Sequence, residues 1–147
     1  MAAASIPSRI IPSYPHAQGW TKLAYSHDGQ FLITAGADQL IRKFTVDEES
    51  KEPETFEQHT EPVVAVAASR NAIASASEDC TVNLFNMRNS SDNVRLLTRC
   101  TLPVRDVAFS PDGEWLGVAS EYSQITIVLT LGKRMRRLLI QSVRLVS

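Results

Sequence analysis

Three side-chain types that together perform acyl transfer recur in this chain at matched spacing. His16 is followed by Thr34 and Asp38, and His59 by Ser75 and Asp79, with the hydroxyl four residues before the aspartate in each set. A histidine that accepts a proton from such a hydroxyl, oriented by a carboxylate, would generate a nucleophile. No G-x-S-x-G elbow and no phosphate-binding loop accompanies either set. Recurrence favours a structural role, because a buried turn aspartate needs donors, and an imidazole with turn amides can supply them. The chain is therefore read as non-enzymatic, with no catalytic, cofactor-binding or metal-binding residue.

The elements that must hold these groups are short strands. YSHDGQFLITAG starts at residue 25 and FSPDGEWLGVAS at residue 109, a separation of 84, which is twice 42. A third copy with a shortened turn, AASRNAIASAS, begins between them at residue 67. Each copy alternates β-branched or aromatic runs with Asp, Gly, Ser and Asn, which is hairpin chemistry. Small residues in the middle strands, such as Ala35, Gly36, Gly117 and Ala119, imply another sheet packed closely on their faces. One such sheet cannot bury both faces alone, so a period in the low forties points to propeller blades. The register extends further: Phe44 and Phe85 each lie six residues after their aspartates.

Composition narrows the class. With 147 residues, 44% hydrophobic and 21% charged, the chain can bury a core, and no apolar run reaches membrane-spanning length. Two cysteines, Cys80 and Cys100, are too few for a disulfide framework or a zinc site and are expected to be reduced and buried. The net charge of −1 conceals an acidic stretch, residues 47–61, and a basic one after Tyr122. Both read first as solvated segments. His27, in the SHDG turn, reads as a solvated turn residue.

The spacing of histidine, hydroxyl, aspartate and aromatic residue resembles that of WD-repeat proteins, whose blades join His, Ser or Thr, Asp and Trp in a hydrogen-bonded tetrad. The resemblance implies two sets, His16, Thr34, Asp38 and Phe44, then His59, Ser75, Asp79 and Phe85. Phenylalanine in the tryptophan place cannot donate, so each tetrad is expected to be a triad. In the third copy Cys100, Val118, Tyr122 and Val128 occupy the four places, and the polar members have been lost together. Joint loss is physically cheap, since it strands no buried partner. The wording YSHDGQFLITAGADQLIRKF, HTEPVVAVAAS and RCTLPVRDVAFSPDGEW further resembles the N-terminal propeller of the SepB or minichromosome loss protein family of fungal replisome adaptors, counterparts of the animal acidic nucleoplasmic DNA-binding protein.

The expected fold is all-β: a partial WD-repeat propeller of about three four-stranded blades in an open arc. Residues 1–12 are assigned to an N-terminal segment with a latch strand, and residues 13–147 to the propeller, in units of about 16–56, 59–99 and 100–142. RLLIQS, residues 137–142, repeats RLLTRC at 95–100 and is read as the strand that precedes a fourth unit, in preference to an amphipathic helix. The family resemblance implies a nuclear scaffold that binds replisome proteins, linking the helicase to DNA polymerase α and supporting sister-chromatid cohesion. The alternative is a generic WD-repeat interaction module, such as a ubiquitin-ligase substrate receptor or a histone-peptide reader. Lys133, Arg134, Arg136 and Arg137 offer at most a weak nucleic-acid contact; no cofactor, membrane or small-molecule substrate is expected.

Overall fold

The computed structural model describes residues 19, 21–48, 51–88, 94–122, 124–130 and 137–140. Every regular element among them is a strand. The first sheet comprises β1 (Thr21–Tyr25), β2 (Phe31–Gly36), β3 (Ile41–Thr45) and β4 (Glu54–Phe56). The second holds β5 (Val63–Ala68), β6 (Ala72–Ser77), β7 (Thr81–Asn86) and β8 (Arg95–Arg99). The third holds β9 (Val104–Phe109), β10 (Trp115–Ser120), β11 (Gln124–Leu129) and β12 (Arg137–Ile140). Within each sheet the strands pair antiparallel in sequence order. The tail segment 137–140 is thus strand, paired with β11 from Val128 to Ile125.

The turns follow from their residues. In SHDG the Ser26 hydroxyl accepts from the Phe31 amide and donates to Asp28, whose carboxylate also accepts from the Gln30 amide. SPDG repeats the pattern with Ser110, Asp112, Glu114 and Trp115. Both turns end on a glycine with φ near +72°, Gly29 and Gly113, a conformation in which a Cβ is strained. The hydroxyl and turn-amide hydrogen bonds hold the Asp28 and Asp112 carboxyls below the usual carboxylate range.

The three sheets stack face to face, with β1, β5 and β9 meeting in succession along the inner side of an arc that does not close. One buried cluster joins the first two sheets through Ile33, Ala35, Ile41 and Phe56 against Val63, Ile73, Phe85 and Met87. A second joins the next two through Val64, Ala74, Ala76 and Val82 against Val104, Val107, Leu116, Val118 and Val128. Alanines at 74 and 76 let the sheets approach closely, which is why the middle strands are built from small residues. The remaining two sheet faces leave Leu23 (64% exposed), Tyr25 (63%) and Ile125 (48%) in solvent.

A cation also ties each sheet to the next, buried in the first case and exposed in the second. Lys43 on β3, only 3% exposed, donates to the Met87 carbonyl of the second sheet at 3.0 Å and pairs with Glu54 at 3.0 Å. Leu84 holds the corresponding place on β7, but Arg95, its cross-strand partner on β8, donates to the Thr130 carbonyl of the third sheet at 3.0 Å. The cation has moved from the third strand to the fourth while the acceptor keeps its place, since Met87 and Thr130 both follow the third strand of their sheets. Lys43→Ala should cost about 2 kcal/mol by stranding a buried carbonyl and emptying the stem's packing, and Lys43→Met about half that because the stem volume is retained. Urea denaturation midpoints at unchanged slope test the ordering.

Candidate functional site: the histidine networks

The second repeat assembles its set completely. His59 lies in the corner between β4 and β5, Ser75 in the middle of β6, and Asp79 in the β6–β7 turn. The His59 Nδ1 is 2.9 Å from Asp79 Oδ2, and Nε2 is 2.7 Å from Ser75 Oγ. In the neutral ring whose Nδ1–H donates to the carboxylate, Nε2 accepts the serine proton. Asp79 further accepts from the Thr60 amide at 3.1 Å and from the Thr81 amide and hydroxyl at 2.9 and 2.5 Å.

Burial raises the Asp79 pKa, but the Thr81 hydroxyl, His59 and the two amides outweigh it and hold the carboxyl below its ordinary value. A lowered folded-state pKa adds stability that is present above the unfolded value, near pH 4, and is lost as pH falls through the folded value. The melting-temperature gap between wild type and Asp79→Ala should therefore be widest above pH 5 and narrow progressively below pH 4. The comparison isolates Asp79 from Asp28 and Asp112, which titrate in both proteins.

Phe85 takes no part in the hydrogen bonding. It faces Ile73 across β6–β7, and its ring stacks at 5.0 Å, tilted 45°, on Phe56 of the first sheet. Asn83 stands opposite Ser75 instead, and its amide lies 3.4 Å from His59 Nε2. Thr81 and Asn83 are the two members that sequence reasoning missed. The signal was available: the residue four after the turn position is Arg42, Asn83 and Thr126 in the three repeats, polar each time and, in the second and third, flanked by apolar residues on its strand.

In the first repeat the structure describes Thr34, Asp38 and Phe44, whereas His16 lies outside the described residues. Asp38 accepts from the Leu40 amide at 3.2 Å, as Asp79 does from Thr81, and forms a 2.7 Å ion pair with Arg42, which faces Thr34 across β2–β3. Thr34 is buried and Phe44 is half-buried. In the third repeat Val118 and Val128 are 1% exposed, and Cys100 packs against the cluster between the second and third sheets. Tyr122 leaves the set: at 84% exposure and φ +57° it projects from its turn. Cys80 and Cys100 are thiols as expected, but both are partly exposed rather than buried. The 1–12 segment and Lys133, Arg134 and Arg136 lie outside the described residues, and of Arg137 only the backbone is described.

The Ser75, His59 and Asp79 order matches that of a hydrolase triad, yet Ser75 is 0% exposed. A cleft of about 320 Å³ reaches the network from the carboxylate side, lined by Asp79, Thr81 and Asn83 with Thr60, Leu96 and Arg99. Ser75 does not line it. No group of three His, Cys, Asp or Glu among the described residues is arranged to hold a metal ion.

The family is decided by the repeats themselves. The WD domain, G-beta repeat, matches residues 9–44, 50–86 and 91–127. This chain belongs to the WD-repeat family. It is 40% identical over 121 residues to minichromosome loss protein 1 of Schizosaccharomyces pombe, covering 82% of this chain and 15% of that protein. It is also 27% identical over 132 residues to human coronin-7, covering 83% and 14%. Among solved structures, the β-propeller domain of Cps50 (Swd1) from Myceliophteria thermophila superimposes with a TM-score of 0.69 at 17% identity, over 82% of this chain and 39% of that one. The likeness to the minichromosome loss protein family and the open all-β propeller fold are thus shown. The chain spans less than a sixth of the first two relatives.

Proposed function

We propose that these sheets are a non-catalytic protein-interaction platform in a nuclear adaptor of DNA replication and sister-chromatid cohesion, where the whole protein links the helicase to DNA polymerase α. The supporting observation is the 40% identity to minichromosome loss protein 1, which runs across 82% of the chain. The geometry agrees with a binding role, because the only Ser–His–Asp constellation among the described residues has its hydroxyl sealed in a sheet interface and serves to fix a turn. A rigid frame of this kind presents its turns and outer strands to other proteins.

A segment exchange tests the reading. The matching portion of Schizosaccharomyces pombe minichromosome loss protein 1 is replaced by this chain, or by the matching portion of coronin-7 as a fold control. Minichromosome retention should stay near wild type with this chain and fall with the control. Equal loss in both chimeras, at matched protein levels, would overturn the replication assignment and leave a generic WD-repeat module.

A further inference from the structure

The chain's two cysteines, 20 residues apart in sequence, meet in the fold. β7 and β8 pair Thr81 with Arg99, and the next step of the ladder brings Cys80 opposite Cys100, where the Cys100 amide donates to the Cys80 carbonyl at 2.7 Å. The Cys80 amide donates to the Ser77 carbonyl, so the pair shares one bond, and directly opposed antiparallel residues have Cα atoms about 4.5–5.5 Å apart, inside the range of about 4.4–6.8 Å that a disulfide spans. Both residues are partly exposed, so a small oxidant can approach the pair. Cys80 holds a left-handed backbone, φ +68°, in a turn that also carries Asp79.

We propose that Cys80 and Cys100 form a reversible thiol–disulfide site that responds to small-molecule disulfides such as oxidised glutathione. One cysteine thiolate attacks a sulfur of oxidised glutathione, forming a mixed disulfide and expelling one glutathione thiolate. The second cysteine thiolate attacks the protein-side sulfur and expels the other. Two protein thiols are oxidised to one disulfide, two electrons pass to glutathione, and the two thiol protons end on the two released glutathione molecules. The pair sits at the partly exposed edge of its sheet, where glutathione can reach the bond in both directions, and an exposed disulfide is labile, the property of a switch and not of a permanent staple. Closing it welds the edge strand β8 to the turn that carries Asp79, at the junction of the second and third sheets.

The test uses the full chain, purified reduced and equilibrated with buffers of increasing oxidised-to-reduced glutathione ratio. Thiol titration should fall from two groups to none without dimer formation, and the intact mass should drop by two hydrogens. A non-reducing tryptic digest should link the fragment 71–88 to the fragment 100–105. Cys80→Ser should instead carry a single glutathione on Cys100, and Cys100→Ser one on Cys80. Two persistent thiols, glutathione on both cysteines of the wild type, or a disulfide between chains would each overturn the proposal, provided circular dichroism shows the folded β signal before oxidation.

Discussion

Phe85→Ala should destabilise the chain by roughly 3–5 kcal/mol, a large share of the total stability of a domain this size. Phe85 is 1% exposed and lies in the cluster that joins the first two sheets, with Ile33, Ile41 and Ile73 beside it and the Phe56 ring 5.0 Å away. Strand positions on three sides prevent the walls from collapsing into the vacated space, so the cavity term is close to its maximum. The aromatic pair with Phe56 is lost as well. Phe44 occupies the same place in the first repeat but is half-buried, on the face of its sheet turned away from the second one. Phe44→Ala should cost about half as much. Urea denaturation of both variants checks the ratio, and equal costs would mean that the two faces are covered alike.

This contrast marks where sequence reading stops. Repeat spacing, turn residues and β-branched runs are local, and they were enough to place three sheets, since the first and third repeats carry Ser, Asp and Gly at fixed offsets in the turn and the second keeps the serine in a shortened one. The partners of His59 were legible for the same reason: Ser75 and Asp79 follow it at family spacing, and the ladder converts that spacing into proximity. What crosses between sheets was not legible. Lys43 and Arg95 look like ordinary surface cations, and only the stacking shows that each reaches a carbonyl in the next sheet. Phe85 stacking on Phe56 depends on the same geometry. The meeting of Cys80 and Cys100 required knowing that β8 folds back along β7, although their separation alone gave no hint of it.

Asp79→Ala should cost roughly 3 kcal/mol, whereas His59→Cys, Ser75→Val and Asp79→Ala combined should cost distinctly less than the sum of the three single changes. The single change removes the acceptor for the His59 ring, the Thr60 amide, and the Thr81 amide and hydroxyl together. Those donors were desolvated to meet a carboxylate, and a buried donor without a partner carries the full desolvation penalty. Water can reach Thr60 and Thr81 through the adjoining cleft, but His59 is sealed on its ring face, which keeps the cost above that of a surface hydrogen bond. The combined variant removes the imidazole and the serine hydroxyl along with their acceptor, so no ring nitrogen is left buried without a partner. The third repeat already contains this experiment: Cys100 and Val118 fill the same places against Val128 in a packed apolar cluster, and Tyr122, with no network to join, turns outward. If the three single costs add in the combined variant, the residues act independently and the network is not a cooperative unit. Strong non-additivity would identify the His59 set as one all-or-none device for fixing the turn of its blade.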